Sequence, residues 1–316
     1  MPIVLCGRRG RMFLVATAAA LVLAQVVSIA QTKPEASKGP EPYPIVTAVG
    51  QNGATYLVDK ELKRVLRVDE GGKLTELYKG SRKYRTPLYN VMALTVDSAG
   101  NLFFGDTGSM DAWRMSTDGK LTPLTGQKIA RGIGPAPKDQ DFDPDGAYAG
   151  KFDKPMGVTL DAEGNLVVAD LGLAAIFRVP TGGGEPQEIA RVPAPHGIAR
   201  DREGGFVVVS HGKDQLVRVS DKGEVTPIVK GQLAPKNFPH NVVVDQAGYV
   251  VTDGYAKAVW RVAPDGKVKP IVQGEPLVNP VGLAVEADGN FLVADPRARK
   301  LFRVTAEGKV SVVVSM

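Results

Sequence analysis

Residues 155–183 read PMGVTLDAEGNLVVADLGLAAIFRVPTGG, and three apolar runs stand out in them: Val158–Leu160, Leu166–Ala169 and Ile176–Val179. Gly, Asp and Asn punctuate the stretch between them, so it predicts three short β-strands joined by tight turns. A unit of this kind has two apolar faces and cannot bury both by itself. It needs neighbours of the same kind.

The chain supplies them under one rule. An Asp closes the second strand, an Arg follows eight residues later, and a turn Gly follows the Arg by five. The rule holds at Asp59/Arg67/Gly72, Asp106/Arg114/Gly119, Asp170/Arg178/Gly183, Asp253/Arg261/Gly266 and Asp295/Arg303/Gly308. Ser210/Arg218/Gly223 keeps it with Ser in place of Asp. After each Gly comes a fourth apolar stretch, such as residues 267–272, so one unit is four antiparallel strands. Six units of roughly forty residues predict an all-β fold, a six-bladed β-propeller. The blades fall at about 44–80, 87–126, 154–190, 194–231, 238–274 and 279–316, with an insertion at 127–153. Blade six owns all four of its strands, so the ring is expected to close by face packing.

The segment from Pro155 to Asp170 and its counterpart from Pro280 to Asp295 resemble the NHL repeat. That family belongs to a wider set of six-bladed propellers that includes gluconolactonase-like and peptidyl-amidoglycolate lyase-like enzymes. The resemblance covers residues 44–316 and implies the fold. It leaves function open, because this scaffold hosts binding modules and enzymes alike.

The segments ahead of the propeller carry an address. Arg8, Arg9 and Arg11 precede an apolar run from Met12 and the small residues Ser28-Ile29-Ala30, the order of a secretory signal peptide over residues 1–30. A retained membrane anchor is the alternative, since the run is nearly long enough to span. Residues 31–43 are rich in Pro, Gly and charge and read as a flexible linker. The expected location is periplasmic or secreted, with no membrane contact after cleavage. The only cysteine, Cys6, falls within this first segment, so the mature chain must be held by packing alone.

Charge narrows the partners. The chain has 39 Lys and Arg against 34 Asp and Glu; without the three early arginines the balance is +2. No basic stripe with interleaved aromatics is evident, so nucleic acid is not an expected partner. A small molecule or a protein is, and the chain reads as a monomer.

Propeller geometry sorts the loops. Turns between strands one and two and between three and four share one face, and here they are uniform Gly-containing turns. The opposite face varies, and it carries residues 81–90 and the insertion. Residues that recur in every blade cannot all serve one site, so the repeated Asp is expected to accept hydrogen bonds from turn N–H groups and the Arg to pack its stem along the blade. Trp113 and Trp260 precede that Arg and read as core.

Function is expected where the repeat breaks. His196 and His240 both follow the Pro that opens an innermost strand, where other blades place Ile45, Met92, Met156 and Val281. His211 follows Ser210, and Tyr255 lies in the corresponding loop of blade five. The pattern predicts three imidazoles and a phenol near one mouth of the channel. Neutral imidazoles suit zinc or another divalent ion. The two Pro-His steps and Asp253-Gly254-Tyr255 resemble the amidoglycolate lyase, which implies His196 and His240 as ligands and Tyr255 as base or proton donor. His211 would then supply the third ligand. Ile45 and Met156-Gly157 stand where gluconolactonases have an acidic ligand and an Asn-Gly step. In the insertion, Asp141, Asp143 and Asp145 before Gly146 resemble the start of a calcium loop.

Two readings result: an exported binding module working through its variable face, and a metal-dependent lyase or hydrolase with a His-lined site.

Overall fold

The computed structural model describes residues 41–128 and 148–316. The expected signal peptide and Asp141, Asp143 and Asp145 lie outside the described residues.

Six four-stranded antiparallel sheets follow one another along the chain, each with its strands in sequence order. Blade three, the unit read first, has strands Pro155–Leu160, Leu166–Asp170, Ala175–Val179 and Gln187–Arg191. The first three contain the expected apolar runs and extend them by one to three residues. A short two-stranded ribbon, Gln127–Lys128 with Tyr148–Ala149, follows the last strand of blade two.

The second strands read as unbroken apolar runs because both of their faces are buried. Side chains alternate across a strand, so Phe104 enters the core between blades one and two, while Phe103 enters the core between two and three. Val208 and Val207 divide likewise between blades three and four and blades four and five. Burial of each such side chain is worth about 2 kcal/mol. Trp113 and Trp260 are core, as expected.

Blade six meets blade one through the same kind of contact, with Leu292 and Leu301 packed on Leu57 and Leu66. The ring thus closes by face packing without strand exchange. The repeated turn glycine explains part of this docking. A Cβ at Gly223, Gly266 or Gly308 would lie 2.2–2.4 Å from the carbonyl oxygen of Ile189, Ile228 or Ile271 on the outer strand of the preceding blade. Gly72 meets the Val313 carbonyl in the same way, at 2.4 Å, across the closure.

The repeated Asp residues behave as expected. Asp170 accepts from the N–H groups of Asp153, Lys154 and Leu173, and Asp295 from those of Val278, Asn279 and Ala298. Each fully buried carboxylate therefore ties the loop entering its blade to the turn between strands two and three. The repeated Arg does more than pack its stem. Arg178, Arg218, Arg261 and Arg303 pair with Asp161, Asp201, Asp245 and Glu286, acids at the end of the innermost strand on the uniform face. The last residues of the predicted linker are also fastened: Glu41 pairs with Arg299, and the Tyr43 N–H donates to Asp59.

Candidate functional site

The innermost strands of blades one to five each begin with an irregularity. Pro44, Val91 and Pro155 pair with the repeated Asp of the second strand, but pairing resumes only after one extra residue, so Ile45, Met92 and Met156 are bulged. In blades four and five the pairing skips from Pro195 to Ile198 and from Pro239 to Val242. His196 and His240 occupy these bulges. A bulge re-aims a side chain out of the ladder, and here it turns both imidazoles toward the variable face.

Blade four shows why Ser210 replaces Asp. The loop entering this blade begins with Pro193, which has no N–H to give. Ser210 instead donates its Oγ proton to the Pro193 carbonyl at 2.7 Å and accepts from the Gly212 N–H at 3.0 Å. The His211 N–H donates to the Ala194 carbonyl at 3.0 Å, and its ring lies beside His196.

The three histidines form one cluster. His196 and His211 stack with centroids 4.9 Å apart at 26°, and His196 meets His240 edge-on at 5.4 Å. Phe238 completes a ring of four, 4.3 Å from His211 and 5.0 Å from His240. Backbone carbonyls fix two of the rings. The Nδ1 of His196 lies 3.0 Å from the His240 carbonyl and the Nε2 of His211 lies 2.7 Å from the Pro239 carbonyl. A carbonyl only accepts, so both nitrogens carry the proton. The opposite nitrogens, Nε2 of His196 and Nδ1 of His211, are left without a hydrogen bond to these carbonyls. The Nδ1 of His240 is buried and has no hydrogen-bond partner among the described residues.

Electrostatics keep two of these rings neutral. Burial first, and then the neighbouring His211, push the His196 pKa down to about 4. Burial, His196 and His211 push that of His240 down to about 3. Packing beneath the rings is close: a Cβ on Gly197 would lie 2.7 Å from the His240 carbonyl oxygen, and one on Gly157 2.1 Å from that of His196. Gly254 makes room for His240 itself, since a Cβ there would sit 2.7 Å from its Nε2.

Below the bulges, the inner strands surround a cavity of about 180 Å³ lined chiefly by backbone and by Ala, Val and Thr side chains, with Met156 and Asn241 toward the histidine end.

The expected convergence of His196, His211 and His240 is thus present. Tyr255 is not drawn in: its side chain is 65% exposed, and no hydrogen bond or ring contact joins it to the histidines. Among the described residues no three His, Cys, Asp or Glu side chains are grouped so as to hold an ion. Phe238, 47% exposed, was not singled out from the sequence. Its signal was a large aromatic side chain placed in a loop directly before a Pro-His step.

No family model matches the sequence, and neither does any curated protein. Solved structures do match. A catalytically inactive histidine-to-alanine variant of virginiamycin B lyase from Staphylococcus aureus, with quinupristin, superposes with a TM-score of 0.60 at 17% identity, over 87% of this chain and 85% of the lyase. A gluconolactonase from Xanthomonas campestris gives 0.61 at 14% identity over 82% and 84%. A chain of the nidogen/laminin complex gives 0.59 at 14% identity over 78% and 87%. At these identities the shared property is the fold, and this chain is a six-bladed β-propeller of the architecture found in those lyases and lactonases.

Proposed function

We propose that this chain is an exported propeller that binds a small molecule at the histidine cluster of blades four and five. The observation that carries the reading is the gathering of all three histidines of the chain, with a half-exposed Phe238, on the face where the loops vary. Imidazoles whose N–H groups are tied to carbonyls present their opposite nitrogens, and Phe238 presents an apolar ring. The ligand this suits is uncharged, with an apolar or aromatic part for Phe238 and a hydrogen-bond donor for an imidazole nitrogen. Export to the periplasm or outside the cell is supported by the order of basic, apolar and small side chains in the first thirty residues.

The test is a titration of the protein, labelled at its histidine Cε1 positions, with a set of neutral aromatic amides and lactones. Saturable shifts of the histidine signals, weakened at least about tenfold in Phe238→Ala, are expected. No saturable shift from any compound contradicts the reading.

A second reading, a metal-dependent lyase or hydrolase, has one observation in its favour. His196 and His240 are held neutral, the form in which imidazole binds zinc. Among structures of this fold are a lyase inactivated by loss of a histidine and a gluconolactonase. This reading requires the free nitrogens to be brought to one ion, and the N–H groups held by carbonyls can stay as they are. Elemental analysis of the purified chain beside His196→Ala/His240→Ala tests it: about one ion per chain, lost in the variant, supports it, and no metal in either rejects it.

A further inference from the structure

The loop joining blades one and two runs from Ser81 to Asn90 and reads SRKYRTPLYN. It has a defined shape. The Thr86 hydroxyl donates to the Lys83 carbonyl at 2.6 Å, Leu88 is buried, and Tyr84 meets Tyr89 edge-to-face at 5.9 Å. Arg85 and Leu88 both sit in the left-handed region, at φ 61° and 56°. Two non-glycine residues are held there only where the surrounding structure enforces it.

Cations converge on this loop. Lys63, from the turn between strands two and three of blade one, places its Nζ 4.6 Å from the centre of the Tyr89 ring, and the Arg85 guanidinium lies 5.5 Å from that of Tyr84. Lys63 also senses the charges of Lys60 and Arg82. None of these four cations has an ion-pair partner among the described residues, and the Arg85 Nε is buried without a hydrogen bond. Two acids are near. Asp106 is fully buried and taken up by the N–H groups of Tyr89, Asn90 and Gly108 and the Ser109 hydroxyl. Glu61 acts on both Lys60 and Lys63, and Asp106 acts on Lys63 as well. Burial lowers the pKa of both Lys60 and Lys63 and outweighs the opposing pull of the nearby acids. An arriving anion would add counter-charge.

We propose that this surface, on the same variable face as the histidine cluster but built by blades one and two, binds the acidic groups of a polysaccharide chain bearing sulfate or carboxylate. The aromatic rings argue for this class over single-stranded nucleic acid. Arg85 and Lys63 cover a face of Tyr84 and Tyr89, and the two rings pack on each other, so their role is to hold cations in place by cation–π contact. Nucleic acid binding would require open aromatic faces on which bases stack. Spaced oxyanions need only the fixed array of positive heads.

The test uses the full chain and three probes at physiological salt: a heparin hexasaccharide for sulfate, an oligogalacturonate for carboxylate, and a single-stranded DNA of matched charge. Isothermal titration is run on the native protein, on Lys60→Gln/Arg82→Gln, and on the charge-matched Lys120→Gln/Lys222→Gln, which removes two exposed cations from the uniform face. Saturable binding of either saccharide is expected, weakened about tenfold or more in the first variant and within twofold in the second. The two saccharides identify the anionic group. Equal losses in both variants would mean diffuse attraction and overturn the proposal, as would absence of saccharide binding or tighter binding of DNA. Thermal melting of both variants establishes that any loss occurs in folded protein.

Discussion

The Nδ1 proton of His196 is held by the backbone carbonyl of His240, 3.0 Å away on the next blade. This bond fixes the tautomer of His196 and links the two bulges that carry the histidines. Burial and the neighbouring imidazoles, against the pull of this bond, make the cluster intolerant of protons. His196 and His240 have pKa values lowered to about 4 and about 3, against about 6.5 for an unfolded histidine. Above pH 7 both states are neutral and neither residue affects stability. As pH falls below about 6.5 the unfolded chain takes up protons that the folded chain refuses, so stability declines until the folded pKa values are reached. The slope approaches about 1.4 kcal/mol per pH unit for each residue. Denaturant midpoints measured from pH 8 to pH 4 should fall along this course, and the fall should be shallower in His196→Gln/His240→Gln.

Gly254 is the residue that admits the His240 ring. A methyl group at Gly254 would lie 2.7 Å from the His240 Nε2 and 2.5 Å from the Asn279 Oδ1. In Gly254→Ala these side-chain ends must move, which a surface-facing cluster allows at a stability loss of about 1–2 kcal/mol. The expected signature is a shifted His240 resonance in an otherwise native spectrum. An unchanged His240 resonance would mean that the ring does not rest on this glycine.

Restoring the repeat at its one exception should harm the protein. Ser210→Asp would place a carboxylate oxygen near the Pro193 carbonyl, which now accepts the serine proton at 2.7 Å. Two acceptors would face each other in a buried corner, and a loss of about 2–3 kcal/mol is expected from urea unfolding. Ser210→Thr, which keeps the donor, should lose less.

Ring closure can be isolated by comparing two glycines. Gly72 and Gly119 occupy the same turn position, with φ of 78° and 84°. Alanine at either carries the left-handed backbone penalty of about 1 kcal/mol. Only at Gly72 would the new Cβ also strike the Val313 carbonyl of blade six, at 2.4 Å; nothing lies within 4 Å at Gly119. Gly72→Ala should therefore lower stability by about 1–3 kcal/mol more than Gly119→Ala. Equal losses would show that the closure gives way without strain.

The fold was legible because the repeat is enforced by local chemistry that every blade shares. The buried Asp accepts from backbone N–H groups at fixed offsets, and the turn Gly requires both a positive φ and a close neighbour in most blades. The histidines were legible for the opposite reason, since His196 and His240 stand at a position where other blades carry apolar residues. Their stacking and tautomers were not, because these depend on carbonyls positioned by contacts between blades. Tyr255 shows the limit of reasoning from a loop motif: the motif fixes the place of Gly254 and leaves the next side chain directed to solvent. The cationic surface of blades one and two escaped a reading based on charge along the chain, because Lys60 and Lys63 come from one turn and Arg82 and Arg85 from a loop about twenty residues on. Only the fold joins them.

The most direct test of the histidine site is a pH titration of the three imidazoles by heteronuclear NMR. If they form one partly buried cluster, two of the three signals should remain neutral through pH 5, with Nδ1 of His196 and Nε2 of His211 carrying the proton in their neutral forms. Three independent transitions near pH 6.5, with exchanging tautomers, would mean three separate solvated side chains and would contradict the account.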